Sequence, residues 1–289
     1  MKSRDVSSID IIVSTNYTPY NHKPGNLFTT IDSILSISDL SQKNLKFNLF
    51  VLVDGLQKDL VGKRHIENRQ NFLVSIYEFM MDKGQVIVNP EWGHLSGSLS
   101  YFFEHFTHSE HVLVVQEDLV FVNDIPLVEL LHLLDAYKHV CHIRFNKRTN
   151  ELAGLDTELS EVVLQGIPLL KTNNWSDNNY LTTRNHFEDK ILPRIRDEQT
   201  FPENVMRELN AFSPSEFGTY IYGGLGMSQT IKHIGGQNGR LRARFEGHKI
   251  VTSNLWLIEA LRFAMKLSDA WNSLQRNEGQ KDFKKEACE

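Results

Sequence analysis

Apolar and polar positions along the chain fall into two alternating periods. Ile9 to Ser14, IDIIVS, is a short apolar run that ends in the polar stretch TNYTPYNHKPGN, as a buried parallel strand feeding a loop does. Leu27, Ile31, Ile34 and Leu35 then recur at i, i+4, i+7 and i+8 and predict an amphipathic helix with Asn26 as its N-cap. Phe47 to Val53, FNLFVLV, predicts a second strand that stops at Asp54-Gly55. A helix follows with Phe72, Ile76, Phe79 and Met80 on one face. The third strand, QVIVN, begins at Gln85, and the helix after it carries Leu95, Leu99, Phe102, Phe103 and Phe106 as one stripe. The fourth strand is HVLVVQEDLVFV, His111 to Val122, and beyond the apolar helix face Leu127–Leu134 lies the strand VCHIRFN, Val140 to Asn146.

This alternation predicts an α/β fold, a doubly wound and mainly parallel sheet flanked by helices, with ligands bound outside the carboxyl ends of the strands. Past Asn146 the periodicity loosens. The stretch Lys147 to Gln165 reads as a mobile lid, and the chain stays irregular until the short strand GTYIYGG, Gly218 to Gly224. A last helix is predicted over Leu255 to Leu274, followed by a charged tail.

With 289 residues, 40% hydrophobic and 23% charged, the chain is long enough for a large core and has a globular composition. A net charge of -5 excludes a polyanion-binding surface over the whole protein but permits a local basic groove. Cys141 and Cys288 are far apart and have no metal-type spacing, so neither a disulfide framework nor a zinc site is expected. No segment approaches the roughly 18 apolar residues of a membrane span. These features predict a soluble cytoplasmic protein.

The chemistry concentrates in the fourth strand, where four apolar residues are followed by Gln116-Glu117-Asp118 and then at once by Leu119-Val120-Phe121-Val122. Adjacent carboxylates beside a buried strand repel each other and lose hydration, so they call for a cation or strong donors. Three readings are open. The pair is a solvated turn, or a site for Mg²⁺ or Mn²⁺ whose open positions substrate phosphates fill, or an acid-base pair in which one carboxyl keeps the other protonated.

The segment VLVVQEDLVFVNDI resembles the metal-binding segment of GT-A-fold glycosyltransferases that use nucleotide sugars, and within them it is most similar to the N-acetylglucosaminyltransferase I type. There an apolar run leads into Glu-Asp-Asp. Here Gln116 stands for the first acid, Glu117 for the second and Asp118 for the third. The resemblance implies that Asp118 holds a Mn²⁺ or Mg²⁺ ion, with Glu117 meeting the ion or the sugar. IDIIVSTNYTPY is similar to the family's first strand, which places Ser14 and Thr15 beside the nucleotide, and FVLVDG is similar to the second, whose terminal acid, here Asp54, meets the base. A plain turn Asp before Gly accounts for Asp54 equally well. WGHLSGSLSYFF resembles the segment that brings diphosphate to a helix N-terminus, with Gly93, Ser96 and Gly97 as contacts.

For the C-terminal half, the resemblance implies the acceptor side. NWSDNNYLTTRNHF is similar to a cleft-shaping segment centred on Trp175 and Asp177, and FPENVMR to the stretch carrying the general base, here Glu203, with Glu208 in reserve. A late His is expected at the metal, His233 or else His248, and Arg240, Arg242 and Arg244 alternate as along one strand face suited to a diphosphate or an anionic acceptor.

The implied organisation is one domain over 1–289, with a nucleotide-sugar-binding half at 1–146, an acceptor half at 147–254, and a C-terminal helix and tail at 255–289. The implied reaction is inverting transfer from a nucleoside-diphosphate sugar to a glycan or other hydroxyl acceptor, a nucleic-acid acceptor being allowed. Two other functions stay open. One is a sugar nucleotidyltransferase, disfavoured because the loop after the first strand is poor in glycine. The other is a non-catalytic carbohydrate- or nucleotide-binding protein on a decayed transferase fold, which Gln116 in place of an acid keeps in view.

Overall fold

The computed structural model describes residues 8–19, 23–42, 45–60, 62–106, 109–151, 160–196, 201–235, 244–246 and 249–251. Its strands are β1 (Ser8–Thr15), β2 (Lys46–Val53), β3 (Gln85–Val88), β4 (His111–Gln116), β5 (Leu119–Phe121), β6 (His142–Arg144), β7 (Ser160–Leu164), β8 (Ile167–Lys171), β9 (Tyr180–Thr183), β10 (Thr219–Tyr222), β11 (Ile231–His233), β12 (Arg244–Glu246) and β13 (Lys249–Val251). The helices of ten or more residues are α1 (Gly25–Leu35), α2 (Lys63–Met80), α3 (His94–His105), α4 (Leu127–Ala136) and α5 (Pro202–Phe212). Met1–Ile234 forms one compact unit and Gly235–Glu289 a second, whose described part is the antiparallel pair β12–β13.

The first unit is a mixed α/β structure around a nine-stranded sheet of order β3-β2-β1-β4-β9-β6-β10-β8-β7. Its first four strands are parallel throughout, and across the whole sheet only β8 and β9 run against the rest. Strands covered on both faces must be apolar at successive positions, and β1 and β4 are. Side chains leave a strand alternately to either face. Ile9, Ile11 and Val13 therefore join α1, α2 and α4 through Leu27, Ile31, Phe72, Ile76 and Leu130. Ile12 packs the other way, with Phe50 and Leu52, against Leu99 and Phe102 of α3 and Met206 of α5. Among the described residues no helix is long and apolar enough to cross a membrane.

Four expectations change. Helix α1 begins at Gly25 with Pro24 as N-cap, so Asn26 lies inside its first turn and caps nothing. The predicted fourth strand divides: β4 ends at Gln116, Glu117 and Asp118 form a turn, and β5 leaves the large sheet to pair with β11. The region read as a lid is folded where it is described. Residues 160–164 form β7, joined to β8 by Gln165 and Gly166 at φ 50° and 84°, the consecutive positive angles of a tight hairpin turn. Asn150 is buried, its Nδ2 donating to the Tyr222 carbonyl at 3.0 Å and its N–H to that of Met227 at 2.9 Å. Residues 152–159 of the proposed lid lie outside the described residues, as does the predicted helix Leu255–Leu274. The stretch read as irregular also contains β8, β9 and α5.

Candidate active site

The carboxyl ends of β1, β2 and β4 open into a cleft of about 190 Å³. Ser14, Thr15, Asp54, Gln116, Glu117 and Asp118 line it, which gathers the strand-end residues singled out from three separate segments of sequence. The opposite wall is Trp92, His94 and Leu95 at the start of α3, with Phe201 just before α5.

The acidic pair is fixed by its backbone. Glu117 N–H donates to the Ser14 carbonyl at 3.1 Å, Thr30 Oγ1 donates to the Glu117 carbonyl at 2.6 Å, and Ile234 N–H donates to the Asp118 carbonyl at 2.8 Å. Thr15 Oγ1 donates to Glu117 Oε2. The antiparallel register of β5 and β11 sets His233 opposite Leu119, which brings His233 Nε2 to 2.9 Å from Asp118 Oδ2. Burial pushes the Asp118 carboxyl up, while the charges of His233 and Lys147 pull it back. Gln116 has a structural duty in place of the missing acid: its Nε2 donates to the Asp177 carbonyl at 3.0 Å, tying β4 to the loop before β9.

Asp54 is a helix-capping residue as well as a cleft residue. Its Oδ1 accepts from Gly55 N–H at 2.8 Å and from Gly93 N–H, at the mouth of α3, at 3.0 Å. Burial raises its carboxyl above the usual range, and these N–H groups oppose the rise. The capping carboxylate offsets the positive end of α3, the end expected to receive diphosphate. Gly93, Ser96 and Gly97 are not on the cleft wall: Ser96 is fully buried, and Gly97 N–H is spent on the Gly93 carbonyl at 2.9 Å.

The C-terminal candidates separate. Trp175 is wholly buried, its ring 4.9 Å from that of His142, so it belongs to the core and shapes no cleft. Asp177 is buried beneath the strand ends, and burial pushes its carboxyl up to about 6 against the opposing pull of Lys147 and Gln116. Its Oδ2 has no hydrogen-bond partner among the described residues. Glu203, in the first turn of α5, accepts from Ser176 Oγ at 3.1 Å through Oε2 and pairs with Arg207 through Oε1. Glu208 is exposed on the same helix. Arg240, Arg242 and His248 lie outside the described residues, and for Arg244 only its place in β12 is described.

No protein-family model matches the chain, and no curated protein matches it. Among solved structures it is similar to S. aureus TarS 1-349, at 14% identity and a TM-score of 0.48, over 78% of this chain and 60% of that one. The same TarS segment in complex with UDP-GlcNAc gives 13% identity and 0.48 over 78% and 58%. Mannosyltransferase PcManGT from Pyrobaculum calidifontis, in complex with GDP-Man and Mn2+, gives 13% identity and 0.47 over 80% and 58%. The chain thus spans about 60% of the length of these proteins. The likeness is one of overall arrangement.

The donor set is compatible with a divalent ion. Among the described residues no three His, Cys, Asp or Glu side chains converge on a metal position, so Asp118 and His233 would be the protein's share. A carboxylate with an imidazole suits Mn²⁺ better than Mg²⁺, which prefers oxygen throughout, and such ions leave positions for phosphate oxygens and water.

Sequence reasoning missed the wall of Trp92, His94 and Phe201. The His94 ring meets Phe201 edge-on at 4.2 Å and Trp92 at 5.8 Å, while its backbone sits at φ 59°, in the left-handed region. A β-carbon there is strained, and such strain collects at functional sites. Three aromatic rings from two distant segments carry no joint periodic signal, so only the fold could assemble them.

Proposed function

We propose that the protein is a glycosyltransferase of the GT-A type that binds a nucleoside-diphosphate sugar in this cleft and transfers the sugar, with inversion, to a hydroxyl acceptor. One observation carries the reading: Asp118, at the carboxyl end of β4, lines the same cleft as Thr15, Asp54 and Glu117 and has the His233 imidazole 2.9 Å from its carboxylate. The likeness of the acidic segment to the N-acetylglucosaminyltransferase I type supports it. A divalent ion bound there supplies positive charge against the diphosphate as it departs.

The chain's own residues do the rest. Asp118 and His233 would hold the ion, Glu117 and Thr15 line the sugar-diphosphate path, and Asp54 faces the nucleoside end. Glu203 is the proposed base, oriented by Arg207 and Ser176, taking the acceptor hydroxyl proton as that oxygen attacks from the face opposite the leaving group. The acceptor is a glycan or another hydroxyl compound.

The deciding experiment incubates the protein with UDP- and GDP-sugars and Mn²⁺ and measures release of nucleoside diphosphate. Metal-dependent release that disappears in Asp118→Ala supports the proposal. Release of pyrophosphate from a sugar phosphate and a nucleoside triphosphate would replace it with nucleotidyl transfer. Mn²⁺-dependent nucleotide binding without turnover would replace it with a binding protein.

A further inference from the structure

We infer that Asn179 is the positioning residue for the Glu117-Asp118 turn, and through it for the carboxylate that would hold the metal. The inference rests on the metal reading above. Asn179 is fully buried immediately before β9, and a single side-chain amide there spans the acidic pair. Its Oδ1 accepts from Gln116 N–H at 3.1 Å, the residue before the pair, and its Nδ2 donates to the Leu119 carbonyl at 2.8 Å, the residue after it. These backbone partners settle which end of the amide is which, since one offers only a donor and the other only an acceptor.

The clamp accounts for the way β4 ends. Backbone pairing of β4 with β9 runs from His111↔Thr183 to Val114↔Tyr180 and then stops. Beyond that point the Asn179 side chain, rather than the backbone, meets the Gln116 N–H, and the chain is free to turn out of the sheet. The same amide catches the Leu119 carbonyl as β5 departs toward β11. Without it, a polar group on each side of the turn loses its partner, and Leu119 is itself buried. Asparagine suits the position because it offers a donor and an acceptor at one reach: aspartate lacks the donor, leucine lacks both, and glutamine is one methylene longer.

What the clamp fixes is the functional geometry. With Glu117 N–H held by Ser14 and the Asp118 carbonyl held by Ile234, Asn179 completes restraint of the backbone from Gln116 to Leu119. Groups that hold ligands in place from one layer behind typically change metal affinity by 10–100-fold when removed.

The test compares Asn179→Ala with the wild type and with Asn210→Ala, a fully buried asparagine that accepts from Thr219 Oγ1 elsewhere in the fold. Mn²⁺ affinity is read from the free-ion electron paramagnetic resonance signal in the presence of UDP or GDP, and amide hydrogen exchange is followed in the same samples without metal. Asn179→Ala should weaken Mn²⁺ binding by about tenfold or more and raise exchange at Gln116 to Leu119, while Asn210→Ala changes neither. If Asn179→Ala does not fold, Asn179→Leu fills the space and removes the same two bonds, and the same results are expected of it. Equal Mn²⁺ loss in the 179 and 210 variants, or unchanged exchange at Gln116–Leu119, overturns the inference. A wild type that binds no Mn²⁺ with either nucleotide overturns the metal reading beneath it, and the exchange arm then judges the clamp alone.

Discussion

His233 Nε2 lies 2.9 Å from Asp118 Oδ2, although most of the C-terminal half of the first unit separates them in the chain. The contact is set by backbone pairing, with Leu119 opposite His233 and Ile234 N–H on the Asp118 carbonyl. Both side chains are part-exposed, 22% for His233 and 28% for Asp118, so as an ion pair they contribute little to stability. His233→Ala should therefore leave the melting temperature nearly unchanged while weakening Mn²⁺ binding in the presence of nucleoside diphosphate by about tenfold. A titration read by electron paramagnetic resonance, beside a thermal melt, checks both. A large fall in stability with Mn²⁺ affinity intact would make the pair purely structural.

The four parallel strands β1 to β4 were legible because β1, β2 and β4 are buried at successive positions and the helices between them show clean stripes, as Ile9–Ser14 and Leu95–Phe106 do. Of the other five strands, β6 and β10 were read as strands and β7, β8 and β9 were not. Strand β7 is a half-exposed edge strand without strict alternation, and its hairpin turns on Gln165-Gly166, where Gln is an unusual occupant of a positive φ. The break at Gln116 could not be read either. A continuous apolar run on both sides of the acidic pair looks like one strand, and what divides it is a side chain from far along the chain, Asn179. The strand-end residues could be named from sequence because parallel strands deliver their carboxyl ends to one edge. The aromatic wall and the burial of Trp175 depend on which helices meet, which no local pattern states.

Gly55 marks a close approach between the loop after β2 and the loop before α3. A β-carbon there would stand 2.1 Å from the Glu91 carbonyl carbon, with backbone rather than a yielding side chain on the receiving end. Gly55→Ala should destabilise by about 1–3 kcal/mol, the usual range for forced overpacking. In a protein of this size that is a fall of roughly 2–12 °C in melting temperature. Because Gly55 N–H also binds Asp54 Oδ1, the variant should lower nucleotide affinity as well. An unchanged melt would show that the two loops separate without cost.

Phe201 is 46% exposed, yet it lines the cleft and packs edge-on against His94. An exposed ring adds little to folding, and one in a cleft is available to a ligand's flat face. Phe201→Ala should leave the melting temperature within a degree or two and lower nucleotide-sugar affinity by about tenfold, the lower range for stacking on one aromatic side chain. Isothermal titration with UDP- and GDP-sugars measures it, and equal affinity in the variant would remove Phe201 from the binding surface.

Asp177 gives a pH-dependent prediction. Its carboxyl is pushed up to about 6 by burial, from an ordinary value near 3.8 that holds in the unfolded chain. Below about pH 3 the carboxyl is protonated in both states and has no effect on stability. As the pH rises from about 4 to 6, the unfolded chain releases this proton and the folded protein resists doing so, so stability falls. Above pH 6 the full penalty of ionising a buried carboxyl is present, about 3 kcal/mol. Asp177→Asn keeps the shape and removes the ionisation. Lys147, whose ammonium burial holds below its usual value, loses a compensating charge in the variant, which subtracts from the gain. The variant should melt several degrees higher than the wild type at pH 8 and at the same temperature at about pH 3. Thermal melts across that range decide it: an equal gain at both ends would trace the effect to packing, and a loss at pH 8 would mean that the ionised carboxylate paired with Lys147 stabilises the fold.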